Sequence, residues 1–182
     1  MKAKQAYLTV LFVMLFAVSG CVTAPLAVDG SESIGADEGL LAVRFLSDWK
    51  GNESMIFEAI SFSVHPEGAT MSEVLEMRSN DDAQLVALPA GNYSFTRTAI
   101  GGNYLLFEDG DVFTIKVGEI TYVGDMTINI HSKPFVLAIN ELRVEDNQEE
   151  TMASLRAKYG ALIEGYPVTA QIISPAFSGD RY

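Results

Sequence analysis

The residue with the most distinctive chemistry in this sequence is Cys21, the only cysteine among 182 residues. Its thiol is a nucleophile when deprotonated, and it ends the run Val18-Ser19-Gly20-Cys21 directly after a short apolar stretch. A single cysteine cannot form a disulfide within its own chain, and it cannot supply the several thiolates of a structural zinc site. The position therefore predicts a covalent modification of Cys21, with an unmodified thiol beside an ordinary cleavage site as the alternative.

The twenty residues before Cys21 have the parts of a secretory signal peptide. Lys2 and Lys4 give the segment a positive start, and residues 6–19 form an uncharged, largely apolar run. A transmembrane helix needs roughly twenty apolar residues, so this run is too short for a permanent span. The small residues Ser19 and Gly20 precede the expected cleavage point. We expect residues 1–20 to be absent from the mature protein.

Together these residues resemble the signal peptide and lipobox of bacterial lipoprotein precursors. The resemblance implies that the Cys21 thiol takes a diacylglyceryl group, and that acyl chains such as palmitate anchor the cleaved protein in a membrane. Two or three acyl chains hold a protein stably, whereas one chain binds only reversibly. Val22 stands where an aspartate would retain such a protein in the inner membrane. The resemblance thus implies an outer-membrane position, with an outward-facing inner-membrane position as the alternative.

Candidates for catalysis are few. The chain has two histidines, His65 and His131, and no Gly-x-Ser-x-Gly motif that would place a nucleophilic serine at a strand-to-helix turn. The 24 acidic residues allow many carboxylate pairs for glycoside hydrolysis, but no motif singles one out. We therefore expect no catalytic residue and predict that the protein is not an enzyme.

Glu108, Asp109 and Asp111 are the candidate metal ligands. These three carboxylates crowd one turn, and calcium prefers carboxylate oxygens. The run lacks the longer spacing of an EF-hand loop, and a hairpin tip with solvated acids explains it equally well. No His or Cys spacing fits zinc. The prediction is no metal and no cofactor, with calcium binding at this turn as the alternative.

Trp49, the only tryptophan, is the candidate for binding a partner. It lies in Ser47-Asp48-Trp49-Lys50-Gly51, which we interpret as a loop. Loop tips often carry binding residues. A half-buried aromatic lid over the core is the structural alternative.

The charge of the chain limits its partners. Residues 1–20 hold two of the twelve Lys and Arg residues and none of the 24 Asp and Glu residues. The remaining chain carries ten cationic and 24 anionic side chains, a formal net charge of −14. This balance excludes nucleic acid as an expected partner and opposes adhesion to anionic lipid. It suits an acidic domain held near a membrane.

Periodicity divides the rest of the chain into a tether and a domain. Residues 21–38 are small, polar and acidic, with no hydrophobic period, and predict a flexible tether. Residues 39–182 predict a single domain of eight or so short strands with turns every 8–12 residues. The strand candidates are residues 40–45, 60–64, 74–78, 85–88, 93–99, 104–107, 112–117, 120–130, 134–139 and 168–173.

Two local signals complete the predicted fold. Asp109-Gly110 between two apolar runs predicts a β-hairpin. Asp146, with Glu149 three residues later, predicts the start of a helix near 147–163. Its expected apolar face carries Met152, Leu155, Tyr159 and Leu162. The predicted fold class is mostly β, an antiparallel β-sandwich with one C-terminal α-helix.

The central segment, about Leu85 to Ile130, carries a second resemblance. Its Pro89-Ala90-Gly91-Asn92 turn, the strand that begins at Tyr93, and its Tyr122-Val123-Gly124-Asp125 strand are similar to the pattern of transthyretin-like and carboxypeptidase-regulatory-like sandwiches in bacterial envelope lipoproteins. The resemblance implies a transthyretin-like or Ig-like sandwich and brings no catalytic residue. The expected function is therefore a lipid-anchored, non-catalytic binding or structural module for another envelope protein. The alternative is a periplasmic or surface hydrolase of glycans or peptides.

Overall fold

Alternating β-branched and aromatic residues make most of the described chain extended. The computed structural model describes residues 34–50, 59–68, 73–78, 83–100, 103–107, 112–133 and 136–174. The strands of this part are β1 Glu38–Lys50, β2 Ala59–Pro66, β3 Glu73–Arg78, β4 Ala83–Pro89, β5 Gly91–Ile100, β6 Asn103–Leu106, β7 Val112–Ile115, β8 Ile120–Lys133, β9 Val136–Glu145 and β10 Val168–Ala170, and its helix is α1 Gln148–Ile163. The mostly-β prediction and the late helix are confirmed.

The first sheet is mixed, which corrects the prediction of a wholly antiparallel fold. Its order is β4-β1-β8, and β9 and β10 both pair with the other edge of β8. β4 and β9 are antiparallel to their neighbours, whereas β1 and β10 run parallel to β8. Parallel neighbours need a long connection, and β2–β7 all lie between β1 and β8 along the chain.

The second sheet is antiparallel, with the order β3-β2-β5 and with both β6 and β7 on the far edge of β5. β6 pairs with residues 97–100 of β5, and β7 pairs with residues 91–94. The predicted hairpin between β6 and β7 is therefore wrong, because both strands follow the same edge in the same direction. A local Asp-Gly signal could not outweigh pairing with the longer strand β5.

Two groups of buried side chains lie on opposite faces of the first sheet. The inter-sheet core draws residues from both sheets: Leu41, Val43, Phe45, Val64, Val86, Leu88, Tyr93, Phe95, Phe113, Ile115, Val123, Met126, Ile128, Leu142 and Ile173. The helix-side core fills the space between α1 and the first sheet: Leu40, Ala42, Ala83, Leu85, Ile120, Tyr122, Met152, Leu155, Tyr159 and Ile163. The first sheet is thus buried on both faces where α1 covers it.

The helix begins one residue later than predicted. Asn147 is its N-cap, with no side-chain capping bond, and Asp146 Oδ1 instead accepts the Gln148 N–H at 3.3 Å. The predicted apolar face is correct: Met152, Leu155 and Tyr159 are buried, and the half-buried Leu162 packs against the helix-side core. This face attaches α1 to the first sheet.

A tyrosine fixes the corner where the chain crosses between sheets. β4 belongs to the first sheet and β5 to the second, and only Ala90 separates them. The Tyr93 hydroxyl donates to the carbonyl oxygen of Pro89 at 2.8 Å, and its ring stacks on Phe113 with centroids 5.9 Å apart. The predicted Pro89–Asn92 turn is therefore a crossover between sheets.

Gln171 closes the open edge of β7. Its side-chain amide donates to the carbonyl oxygen of Thr114 at 2.9 Å and accepts the Thr114 N–H at 2.9 Å. Thr121 Oγ1 donates to the same carbonyl at 2.9 Å. Unpaired strand edges invite pairing with other chains, and these bonds both satisfy this edge and join the two sheets along it.

Candidate functional site

Most of the residues that the sequence singles out lie outside the described residues. This holds for Cys21 and for the calcium candidates Glu108, Asp109 and Asp111, so their roles stay predictions. Within the described ranges, no group of three or more His, Cys, Asp or Glu side chains is placed to hold a metal ion. The same ranges contain no helix with the length and apolarity to cross a membrane.

Trp49 does not lie in a loop, which corrects the prediction for this residue. It belongs to β1, where its backbone pairs with Ile130 of β8, and β1 continues to Lys50. Its side chain lies outside what the structure describes. Trp49 therefore stays a candidate for binding, now placed at the end of a long central strand.

The described part of the chain has one dense group of buried polar side chains, which begins with a bulge in β8. Ala42 of β1 pairs with Tyr122, but the next pair on the same face is Arg44 with Asp125, so β8 uses one extra residue. The bulge is at Gly124, whose φ is positive at 105°. The bulge turns Tyr122 and Asp125 to the same face of the sheet, beneath the start of α1.

Hydrogen bonds join this face to the helix. Thr151 Oγ1 donates to Asp125 Oδ1 at 2.7 Å, and the Asn147 N–H donates to the Tyr122 hydroxyl oxygen at 3.0 Å. The Tyr122 O–H lies 3.0 Å from Asp125 Oδ1 and 3.3 Å from the carbonyl oxygen of Glu145, and it donates toward these acceptors. We call Tyr122, Asp125, Thr151 and Arg44 the helix clasp. It ties the first turn of α1 to β8.

The charges of the helix clasp are unevenly exposed. Arg44 Nη1 lies 3.6 Å from Asp125 Oδ2 and 2.9 Å from Glu150 Oε1. The Asp125 side chain is 1% exposed, whereas that of Glu150 is 70% exposed. Among the described groups, Asp125 Oδ2 has no hydrogen-bond donor, so its partner is the charge of Arg44. The Arg44–Asp125 contact is longer than the Arg44–Glu150 contact, but water screens it less because Asp125 is buried.

The chemistry of the helix clasp is structural. Burial raises the pKa of the Tyr122 hydroxyl, and the negative charge of Asp125 raises it further. Tyr122 thus stays protonated and acts as a hydrogen-bond donor. Because Tyr122, Asp125 and Thr151 are all buried, the clasp offers no open carboxylate to a substrate.

A second polar group lies on the outer face of the second sheet. His65 of β2 is the register partner of Ser94 of β5, and both side chains are half-buried. Beside them the Asn92 amide donates to Glu67 Oε2 at 2.7 Å, and Thr114 Oγ1 donates to Asn92 Oδ1 at 2.8 Å. The sheet thus brings a histidine, a serine and an acid to one surface.

Comparisons with known proteins assign no family. No family model and no curated protein matches the chain. Among solved structures, a leucine-rich repeat protein from Bacteroides thetaiotaomicron is similar over 54% of this chain, with 14% sequence identity and a TM-score of 0.33. The matched part is 14% of that protein's length. A similarity at this level supports no conclusion about fold or function.

Sequence reasoning missed the helix clasp, although its parts were visible. Tyr122-Val123-Gly124-Asp125 was recognisable as a strand motif, and Arg44 interrupts an apolar run. Strict alternation places residues 122 and 125 on opposite faces of a strand, which hides their contact. A glycine followed by an acid within an apolar strand was the available signal for a bulge.

Proposed function

We propose that this protein is a lipid-anchored bacterial envelope protein whose domain acts as a non-catalytic binding or structural module. The observation that carries the proposal is the run Val18-Ser19-Gly20-Cys21, in which the only cysteine follows a signal-like segment. Val22 favours the outer membrane over an outward-facing inner-membrane position. The net charge of −14 after residue 20 supports a domain that stays in solution beside the membrane.

The proposed fold type is a transthyretin-like or Ig-like sandwich. Two features support it: the inter-sheet core that both sheets share, and the Tyr93 hydroxyl that bonds back to Pro89 where the chain changes sheets. A tyrosine that bonds to backbone a few residues upstream at such a corner is a recurring feature of Ig-type sandwiches.

The non-catalytic role is supported by how the buried polar groups are used. Asp125, the buried acid among the described residues, is occupied by Thr151, Tyr122 and Arg44. An envelope protein of this kind would present its surface to another envelope component rather than enclose a substrate.

Metabolic labelling tests the anchor. When the full chain is expressed in a bacterium that processes lipoproteins, we expect radiolabelled palmitate to be incorporated into wild type and not into Cys21→Ala. Val22→Asp is the matched control, since it should keep the label but move the protein from the outer-membrane to the inner-membrane fraction. Wild type without label, or Cys21→Ala with wild-type label, would contradict the proposed anchor.

A second candidate function, hydrolysis of envelope glycans or peptides, is favoured by the pairing of His65 with Ser94. A histidine beside a hydroxyl is the core of a nucleophilic relay. The nearby acid Glu67 already accepts a hydrogen bond from Asn92, which favours the non-catalytic proposal.

A serine-reactive fluorophosphonate probe separates the two functions. We expect no labelling of the mature protein, because the non-catalytic module has no activated serine. Labelling that disappears in Ser94→Ala and persists in the control Ser174→Ala would instead establish the hydrolase.

A further inference from the structure

We propose that the domain faces the bilayer with one defined end, and that the end of β1 that carries Trp49 points away from the membrane. The anchor-side end consists of residues 34–38, 89–90 and 116–119. This inference rests on the proposed lipid anchor at Cys21 and adds the direction in which the anchored domain presents its surface.

Three chain segments meet at the anchor-side end. β1 begins there, and the partner of its first residue, Glu38, is Pro89, the last residue of β4. The Gly118 N–H donates to the carbonyl oxygen of Glu38 at 3.1 Å, and the Ala90 N–H donates to that of Asp37 at 2.9 Å. Ile34, the first described residue, packs against the helix-side core. The chain from Cys21 therefore reaches the domain at a fixed point.

The opposite end of the first sheet lies far from this point. β1 has 13 residues, which corresponds to a length of about 40 Å. The chain from Cys21 to Ile34 has thirteen residue-to-residue steps, and such a chain spans at most about 45 Å when fully extended. For the flexible tether that the sequence predicts, the root-mean-square reach over these steps is about 20 Å, half the length of β1. The anchor-side end therefore lies nearer the lipid on average, whereas an inverted domain with Trp49 at the lipid requires an almost fully extended linking chain.

The charge of the anchor-side end opposes close adhesion to anionic lipid. Asp37 is exposed, and the half-buried Glu38 lies next to it. The nearby Lys116 is already 3.6 Å from Glu119, so the end keeps an excess of negative charge. A negatively charged membrane surface repels such an end within a Debye length of about 8 Å. The bilayer surface therefore faces this end without adhering to it, at a distance within the reach of the linking chain.

Energy transfer to labelled lipid tests this orientation. Because acylation consumes Cys21, a cysteine introduced elsewhere is the only free thiol of the chain. Val117→Cys places a donor dye at the anchor-side end, where Val117 is 54% exposed, and Asp48→Cys places it near the other end of β1, where Asp48 is also exposed. The acylated mature proteins are reconstituted into phosphatidylcholine vesicles that carry an acceptor dye on the lipid headgroup.

We expect energy transfer from position 117 to exceed transfer from position 48 by at least about twofold. Position 117 lies beside Glu38 at the start of β1, and the ten residues from Glu38 to Asp48 span about 33 Å. Equal transfer or the reverse order would overturn the orientation. Vesicles enriched in phosphatidylglycerol should lower transfer from position 117, and an increase would overturn the repulsion argument. Flotation with the vesicles is measured separately. A protein that floats but shows equal energy transfer from the two positions refutes the orientation alone. A protein that fails to float refutes the anchor.

Discussion

Replacing Asp125 with alanine is expected to lower the free energy of unfolding by about 3–5 kcal/mol. Asp125 is 1% exposed, accepts a hydrogen bond from Thr151 at 2.7 Å and faces Arg44. Without the carboxylate, the buried Thr151 hydroxyl loses its hydrogen-bond acceptor, and the Tyr122 hydroxyl loses one of its two acceptors. Each buried polar group left unsatisfied costs about 1–3 kcal/mol.

Glu150→Gln is the matched control for this prediction, because Glu150 and Asp125 contact the same arginine. The Arg44–Glu150 contact is shorter, 2.9 Å against 3.6 Å, but Glu150 is 70% exposed. Exposed ion pairs contribute about 0–1 kcal/mol, so the loss in Glu150→Gln should stay within that range. Urea unfolding of the mature chain, with Cys21 replaced by serine in both variants, gives the two values. Equal losses would show that the helix clasp is not held by the buried carboxylate.

The strands were predictable from the sequence because their signal is local. In β5, Tyr93 and Phe95 alternate with polar residues, and this alternation alone defines a strand with one buried face. α1 was predictable for the same reason, since Met152, Leu155 and Tyr159 recur at helical spacing. Both patterns involve residues that are only two to four positions apart along the chain.

The topology was not predictable, because it depends on partners that are distant in sequence. Leu40 of β1 pairs in parallel with Ile120 of β8, eighty positions later, and no local pattern indicates that direction. The hairpin predicted from Asp109-Gly110 is wrong because β6 and β7 each pair with β5 and not with each other. A local Asp-Gly signal therefore does not determine which strands pair.

The helix clasp was not predictable because one residue changes the alternation. Tyr122 lies in the helix-side core and Val123 in the inter-sheet core, as period two requires. The bulge at Gly124 then returns Asp125 to the side of Tyr122. Every contact between Asp125 and α1 depends on that single insertion, which makes Gly124 the second residue whose replacement should be severe.

Replacing Gly124 with alanine is expected to lower the free energy of unfolding by about 2–6 kcal/mol. Two costs contribute. A φ of 105° is a conformation that residues with a β-carbon rarely adopt, and a β-carbon at this position would collide with Val144 Cγ1 of β9. Relief of the collision would require β8 and β9 to separate beside Asp125, where Glu145 is the register partner of Asp125.

Three further variants separate these costs. Gly118→Ala has a positive φ of 67° but no atom within 4 Å of the new β-carbon, so it should show only a conformational cost of about 1–2 kcal/mol. Val144→Ala removes the colliding methyl group. The double variant Gly124→Ala, Val144→Ala should therefore lose about 1–3 kcal/mol less free energy of unfolding than the two single variants lose in sum. Urea unfolding of wild type, the three single variants and the double variant measures both effects. Strict additivity would mean that β9 does not contact the bulge, and a Gly124→Ala loss no larger than that of Gly118→Ala would mean that the bulge is dispensable. If the coupling is present, the close approach of β9 to Gly124 is what keeps Asp125 turned toward α1.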